Sequence, residues 1–291
     1  MWCSGGGRYR VSRILAEMIP ADSKFCYRDD LRQYLELPVA TQVSHRFSTS
    51  FDAEVPGGIL HFTANQQALT PLSVMLPADI VAEVPAGCKV LFQPERLVVG
   101  TYDLLVAPLL DRVQMPAQID RAILQGNLRQ LYRNLKLFGR SSPVLDMVLQ
   151  RKRQPESLSG AAELLAAGES DLAKFAGYFG VGEGLTPSFD DFLAAMLLID
   201  RSYGFNQLSV SENFCEIAAA RTTRQAVQQY RFAAQGHFSR QFEQVVASLT
   251  QRQVGAAELV RLMGWGHSSG TDILCGIWYY FSHRVRIGVK I

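Results

Sequence analysis

The densest concentration of groups able to do chemistry runs from Gly182 to Asp191, where two glycines, Thr186, Pro187, Ser188 and two adjacent acids, Asp190 and Asp191, precede an apolar run. Gly182 and Gly184 permit a tight turn or close approach to a ligand. Pro187 fixes φ, and the hydroxyls can cap a helix. One reading is a capping box, with Ser188 as N-cap and Asp191 returning to its amide, both acids favoured by the positive end of the helix dipole. Consecutive helical residues point roughly 100° apart, however, so both acids cannot serve one cap. One of them is left to face a ligand, a metal-bound water or a basic partner.

A second stretch, Gly264 to Gly276, repeats the design with Gly266, His267, Ser268, Ser269, Gly270, Thr271 and Asp272 ahead of an apolar run through Phe281. Its glycines and hydroxyls suit a backbone nest for a phosphate or carboxylate, with Ser268 and Ser269 adding hydrogen bonds and Gly270 expected at positive φ. His267 is either a general acid or a capping residue. Two such loops are better explained by convergence on one pocket than by two independent caps, so Thr186 or Ser188 should lie near Ser268 or Ser269. If Asp190, Asp191 and Asp272 also converge, their hard oxygens would suit Mg²⁺. No other cofactor is expected.

The 291 residues are 48% hydrophobic and 19% charged, the balance of a globular protein with a substantial core. A net charge of +2 with scattered basic residues, apart from Arg151, Lys152 and Arg153, argues against nucleic acid as a partner. Five cysteines (Cys3, Cys26, Cys88, Cys215, Cys275) form no Cys-x-x-Cys pair, which speaks against a disulfide framework or zinc site and for the cytoplasm. Residues 1–15 hold no continuous apolar segment of a signal peptide, Met1 to Gly7 reads as a translation-start or expression artefact, and no run suits a membrane span.

The elements that must position these loops follow from periodicity. Residues 13–37 read as one or two helices. From Ala40 to Leu110 short β-rich runs alternate with turn residues: Gln42–Phe51, Gly58–Thr63, Leu72–Leu76, Ile80–Val84, Lys89–Phe92, Leu97–Val99 and Leu104–Leu109. Pro116–Gly139 reads as an amphipathic helix whose row of Arg121, Arg129, Arg133 and Lys136 is a solvated face. Shorter helices follow over Val144–Gln150, Ala161–Ala167 and Leu172–Tyr178. Beyond the first loop come helices over Phe189–Ile199, over Glu212–Phe232 with Thr222 and Thr223 in its middle, over Phe238–Leu249 and over Ala256–Met263. A strand is expected at Val285–Ile291. The architecture is α+β: a β-rich domain, 1–115, built as a small barrel or sandwich, then a predominantly helical domain, 116–291, holding both loops.

In their order, Gly-Leu-Thr-Pro-Ser-x-Asp-Asp-Phe-Leu, Thr-Thr and Gly-His-Ser-Ser-Gly-x-Asp resemble the motifs of a bacterial family of AllH-like proteins. The resemblance covers mainly Gly182 to Gly276, with weaker similarity from Ser44 to Leu76. It implies a subunit of an oxamate carbamoyltransferase of allantoin and purine catabolism, beside FdrA-like and AllG-like subunits, converting oxalurate and phosphate to oxamate and carbamoyl phosphate. It carries site roles onto Gly184, Thr186, Pro187, Ser188, Asp190, Asp191, Thr222, Thr223, His267, Ser268, Ser269, Gly270 and Asp272, with Asp190, Asp191 and His267 as the catalytic candidates. Phe189 departs from the glycine usual in the family, and a bulky ring there would narrow backbone approach to a ligand. The serine that commonly follows Thr223 is also missing. Two functions remain open: a carbamoyl-transfer subunit whose hydroxyl-rich helix starts hold phosphate and a developing oxyanion, or a non-catalytic anion-binding or scaffolding subunit.

Overall fold

A computed structural model of the chain describes residues 24–150 and 156–286. Outside them lie Met1 to Gly7, Cys3, the first part of the helix expected at 13–37, the Arg151-Lys152-Arg153 cluster and residues 287–291 of the expected C-terminal strand. The chain divides into two compact units, Met1–Arg112 and Val113–Ile291. It is α+β, a β-barrel followed in sequence by a helical region.

In the first unit β1 (Lys24–Tyr27), β2 (Val39–Arg46), β3 (Ser50–Val55), β4 (Gly58–Thr63), β5 (Ser73–Met75), β6 (Lys89–Phe92), β7 (Arg96–Val99) and β8 (Tyr102–Val106) close into a barrel ordered β1-β5-β4-β3-β2-β6-β7-β8. Eight strands leave an interior that side chains can fill. Phe25, Tyr27 and Phe92 meet there, and the paired Phe51 and Phe62 stack at 4.6 Å. Alternation explains β6 and β7, where Val90, Phe92, Leu97 and Val99 point inward.

Three sequence expectations change here. The single strand Gln42–Phe51 is two strands, because the chain turns after Arg46 and the Phe47 amide donates to the Ser50 carbonyl. Ile80–Val84 lies not in a strand but in helix α1 (Ala78–Glu83) and its cap: Pro77 opens the helix, and Ile80, Val81 and Val84 bury one helical face. Part of the segment expected to be helical, Lys24–Tyr27, is the strand that closes the barrel, pairing antiparallel with β5 and parallel with β8.

The second unit comprises α2 (Arg121–Phe138), α3 (Pro143–Val148), α4 (Glu156–Ala167), α5 (Ser188–Ser202), α6 (Glu212–Ala219), α7 (Arg224–Ala233), α8 (Arg240–Leu249), α9 (Ala256–Met263) and α10 (Ser269–Arg286). Its core is α5 against α10. Every residue of α5 from Ser188 to Asp200 is buried, as its all-round apolar run requires. The two backbones approach so closely that a Cβ on Gly276 would fall 2.4 Å from the Phe192 carbonyl oxygen. On α2, Leu124, Leu128, Leu131 and Leu135 face this core while Arg121, Arg129, Arg133 and Lys136 are exposed. The Asn127 amide ties α2 to the segment after α8, donating to Leu249 and Arg252 and accepting from the Val254 amide.

The helix expected across Glu212–Phe232 is broken. Thr223 is the N-cap of α7, its hydroxyl accepting from the Ala226 amide at 3.1 Å, so Thr222 and Thr223 occupy a helix start instead of a helix interior. Leu172–Phe175 is a 3₁₀ turn. Val285 and Arg286 end α10 where a strand was expected. Among the described residues, Cys26, Cys88, Cys215 and Cys275 are free thiols, and no helix is long and apolar enough to cross a membrane.

Candidate functional site

The two loops meet. The Thr186 and Ser269 hydroxyls are 3.0 Å apart, joining the N-terminal end of α5 to that of α10. The first loop folds back on its own helix: Phe189 N donates to Val181 O at 3.0 Å, and Gly182, at φ +117°, lies so near Ser188 that a Cβ would meet its amide at 2.4 Å. A left-handed residue packed against backbone is a place for glycine alone.

The capping box is not formed. The N-cap of α5 is Pro187, with no side-chain cap, and Ser188 is already helical. Relieved of capping, the two acids turn to different neighbours, as their angular separation demands. Asp190 accepts from the Gly180 amide (2.8 Å), the Thr222 hydroxyl (3.0 Å) and the Tyr230 hydroxyl, tying the first loop to both sides of the α6–α7 break. Burial pushes its pKa up despite these donors. Asp191 is wholly buried, with the Ser269, Thr186 and Gln229 side chains close enough to favour its ionised form, yet neither carboxyl oxygen accepts a hydrogen bond of normal geometry. Burial, then the nearby charge of Asp272, drive its pKa well above the usual carboxyl value.

Asp272, in the first turn of α10, is also buried. The Ser142 hydroxyl donates to its Oδ1, and Ser268 and Ser188 face it; Oδ2 has no partner. Burial raises this pKa too. The second loop is held from outside by Arg140, whose guanidinium donates to the Gly266 and His267 carbonyls and whose amide donates to Thr271 Oγ1.

Asp191, Asp272, Thr186, Ser188, Ser268 and Ser269 therefore gather in one hydroxyl and carboxyl cluster, with Asp190 and Thr222 on its Tyr230 side. Thr223 braces it, its hydroxyl donating to the Leu185 carbonyl. His267 does not join: its ring is exposed and makes no hydrogen bond to the described residues. Gly184 sits on the exposed outer turn at φ +95°, with open space where a Cβ would stand. Gly270 is helical and not at positive φ; glycine is needed there because a Cβ would fall 1.9 Å from the Leu262 carbonyl oxygen. The amide of Gly270 already donates to the Trp265 carbonyl, so one donor of the expected anion nest over Gly266–Thr271 is engaged, and the next amide, of Asp272, donates to Ser268. Phe189 turns into the core against Tyr178, Phe179 and Phe192, leaving the loop's backbone approach unobstructed by its ring. Among the described residues no group of three or more His, Cys, Asp and Glu is arranged to hold a metal ion, so the three aspartates do not make the Mg²⁺ set their sequence suggested.

Ser142, Gln229, Tyr230 and Arg140 were not singled out by sequence. Ser142 had a signal: it is a hydroxyl before a proline at a helix start, the design of the first loop, and it both caps α3 and donates to Asp272. Tyr230 had none beyond a polar tip on the apolar face of α7.

Three carboxyls with raised folded-state pKa values set a pH dependence. The folded protein holds their protons to higher pH than the unfolded chain. Their contribution to stability is therefore greatest below the unfolded carboxyl pKa, about 3.9, and falls as pH rises toward the raised values, by up to about 1.4 kcal/mol per pH unit and group. Asp191→Asn removes the largest such burden, so urea melts between pH 5 and 8 should show a variant more stable than wild type at pH 8 with a shallower decline. Equal destabilisation at both ends would mean that the carboxylate is stabilising.

Residues 178–281 match the family model of the oxamate carbamoyltransferase subunit AllH. Over these residues the chain is similar to the AllH family. The matched stretch contains both loops, Thr222, Thr223, Gln229 and Tyr230, and stops short of Arg140 and Ser142 on its N-terminal side; the strands between Ser44 and Leu76 lie outside it. The match supports a subunit of an oxamate carbamoyltransferase complex, and a subunit implies partner chains. No solved structure matches.

Proposed function

We propose that the chain serves carbamoyl transfer, oxalurate and phosphate giving oxamate and carbamoyl phosphate, in a cytoplasmic complex with FdrA-like and AllG-like subunits. In that reaction a phosphate oxygen bonds to the ureido carbonyl carbon, the bond from that carbon to the oxamate nitrogen breaks, and the nitrogen takes up a proton. The observation that carries the reading is that the family match spans both loops and these loops converge on one buried cluster. Thr186, Ser188, Ser268 and Ser269 offer hydroxyl donors to the reactants, Thr222 and Thr223 with Asp190 fix the first loop, and Asp191 and Asp272 line the interior. Gly184 and Gly270 shape the two loops where they lead into α5 and α10. His267, exposed outside the cluster, is the general-acid candidate for the leaving nitrogen. Thr186 and Ser269 are the part-exposed members beside Asp191, so reactants enter by parting that seam.

One observation favours the second reading, a non-catalytic anion-binding or scaffolding subunit: all three aspartates are fully buried, as in a structural polar network. Reconstitution separates the two. Oxalurate phosphorolysis should require this chain together with FdrA-like and AllG-like subunits; turnover by those subunits at the same rate without it would leave it the scaffolding role.

A further inference from the structure

Among the cluster's buried atoms, the ones that form no hydrogen bond of normal geometry are acceptors, although the Thr186, Ser269 and Gln229 side chains stand near Asp191 and those of Ser188 and Ser268 near Asp272. Asp191 Oδ1 and Oδ2 and Asp272 Oδ2 are three carboxyl oxygens, on two side chains with no exposed surface, and among the described residues no Lys, Arg or His pairs with either. Buried acceptors call for donors. A phosphate or a substrate carboxylate brings further acceptors and offers these oxygens little to accept. A ureido or amide group brings N–H donors in a plane, and its single carbonyl can take a hydrogen bond from Thr186 or Ser269, which flank Asp191.

Building on the carbamoyl-transfer reading, we propose that Asp191, with Asp272 behind it, is the specificity determinant of this site and receives the N–H groups of the ureido or amide end of the substrate. Phosphate then meets the ureido carbon from the side away from the Asp191 carboxyl, on donors other than these aspartates. This inverts the expectation of an anion nest at Gly266–Thr271, where the Gly270 amide is already engaged.

The test uses the chain assembled with its partner subunits and titrates oxamate, oxalurate and inorganic phosphate separately by calorimetry into wild type, Asp191→Asn and Asp191→Leu. Asn replaces one acceptor by a donor and Leu removes both. The expected result is a loss of oxamate and oxalurate affinity of about tenfold or more in Asn and larger in Leu, with phosphate affinity within about twofold of wild type. The Asn variant, nearly isosteric, keeps the test valid if Leu does not fold. Unchanged oxamate and oxalurate binding, or a selective loss of phosphate binding, overturns the proposal. Turnover is followed in parallel: Asp191-dependent oxamate binding without phosphorolysis would sink the carbamoyl-transfer reading and leave this assignment standing, whereas phosphorolysis with Asp191-independent oxamate binding would do the reverse.

Discussion

Gly270→Ala should cost about 3 kcal/mol or more of the helical unit's stability, at or beyond the upper end of overpacking effects. The added Cβ would lie 1.9 Å from the Leu262 carbonyl oxygen and 3.0 Å from Trp265 Cβ, and the first of these is backbone that cannot rotate away. Relief requires α9 and the start of α10 to separate, and that movement would carry Ser269 away from Thr186. Gly276→Ala is the companion case, with its Cβ 2.4 Å from the Phe192 carbonyl oxygen and 2.9 Å from Ala195 Cβ in the α5–α10 contact. Urea melts followed by circular dichroism read both; a Gly270→Ala variant within about 0.5 kcal/mol of wild type, the range of an ordinary surface change, would mean that the first turn of α10 adapts freely. For the same reason a β-branched residue at position 270 disrupts packing first and cannot diagnose anion binding.

Much of this arrangement was legible because local chemistry and tertiary role agree. Gly58–Thr63 and Lys89–Phe92 are strands with the expected bounds, and Ala256–Met263 is a helix with the expected bounds. The all-round apolar run after Ser188 announced a buried helix, and the repeated glycine, hydroxyl and acid pattern announced two helix starts that meet. The misreadings fall where tertiary context overrides pattern. Ile80–Val84 is β-branched and reads as a strand, but Pro77 and the spacing of its buried residues make it helical. Thr222 and Thr223 interrupt no hydrophobic period, yet one caps α7 and the other donates to Asp190, an acid thirty-two positions earlier that no periodicity connects to it. The capping box over Ser188 and Asp191 was sound local chemistry, displaced because both side chains face the polar cluster shared with α10.

A reversible lock across the two loops should abolish turnover. Thr186 and Ser269 hold their hydroxyls 3.0 Å apart, which makes the pair the natural place to engineer a disulfide, whose β-carbons must stand about 3.5–4.5 Å apart. In a Thr186→Cys, Ser269→Cys protein the reduced form keeps the loops separable, and the oxidised form welds them beside Asp191. The native thiols Cys26, Cys215 and Cys275 are buried and Cys88 is partly so, so wild type treated identically is the control. The decisive measurement is oxalurate phosphorolysis by the assembled complex containing this variant, oxidised and then reduced, with the cross-link verified by mass. If reactants reach the buried carboxyls by parting this seam, oxidation lowers turnover about a hundredfold below that of the reduced variant, some 2.7 kcal/mol, and reduction returns it to that level. Full turnover by the cross-linked protein would contradict the account, because the site between the two loops would then play no part in the reaction.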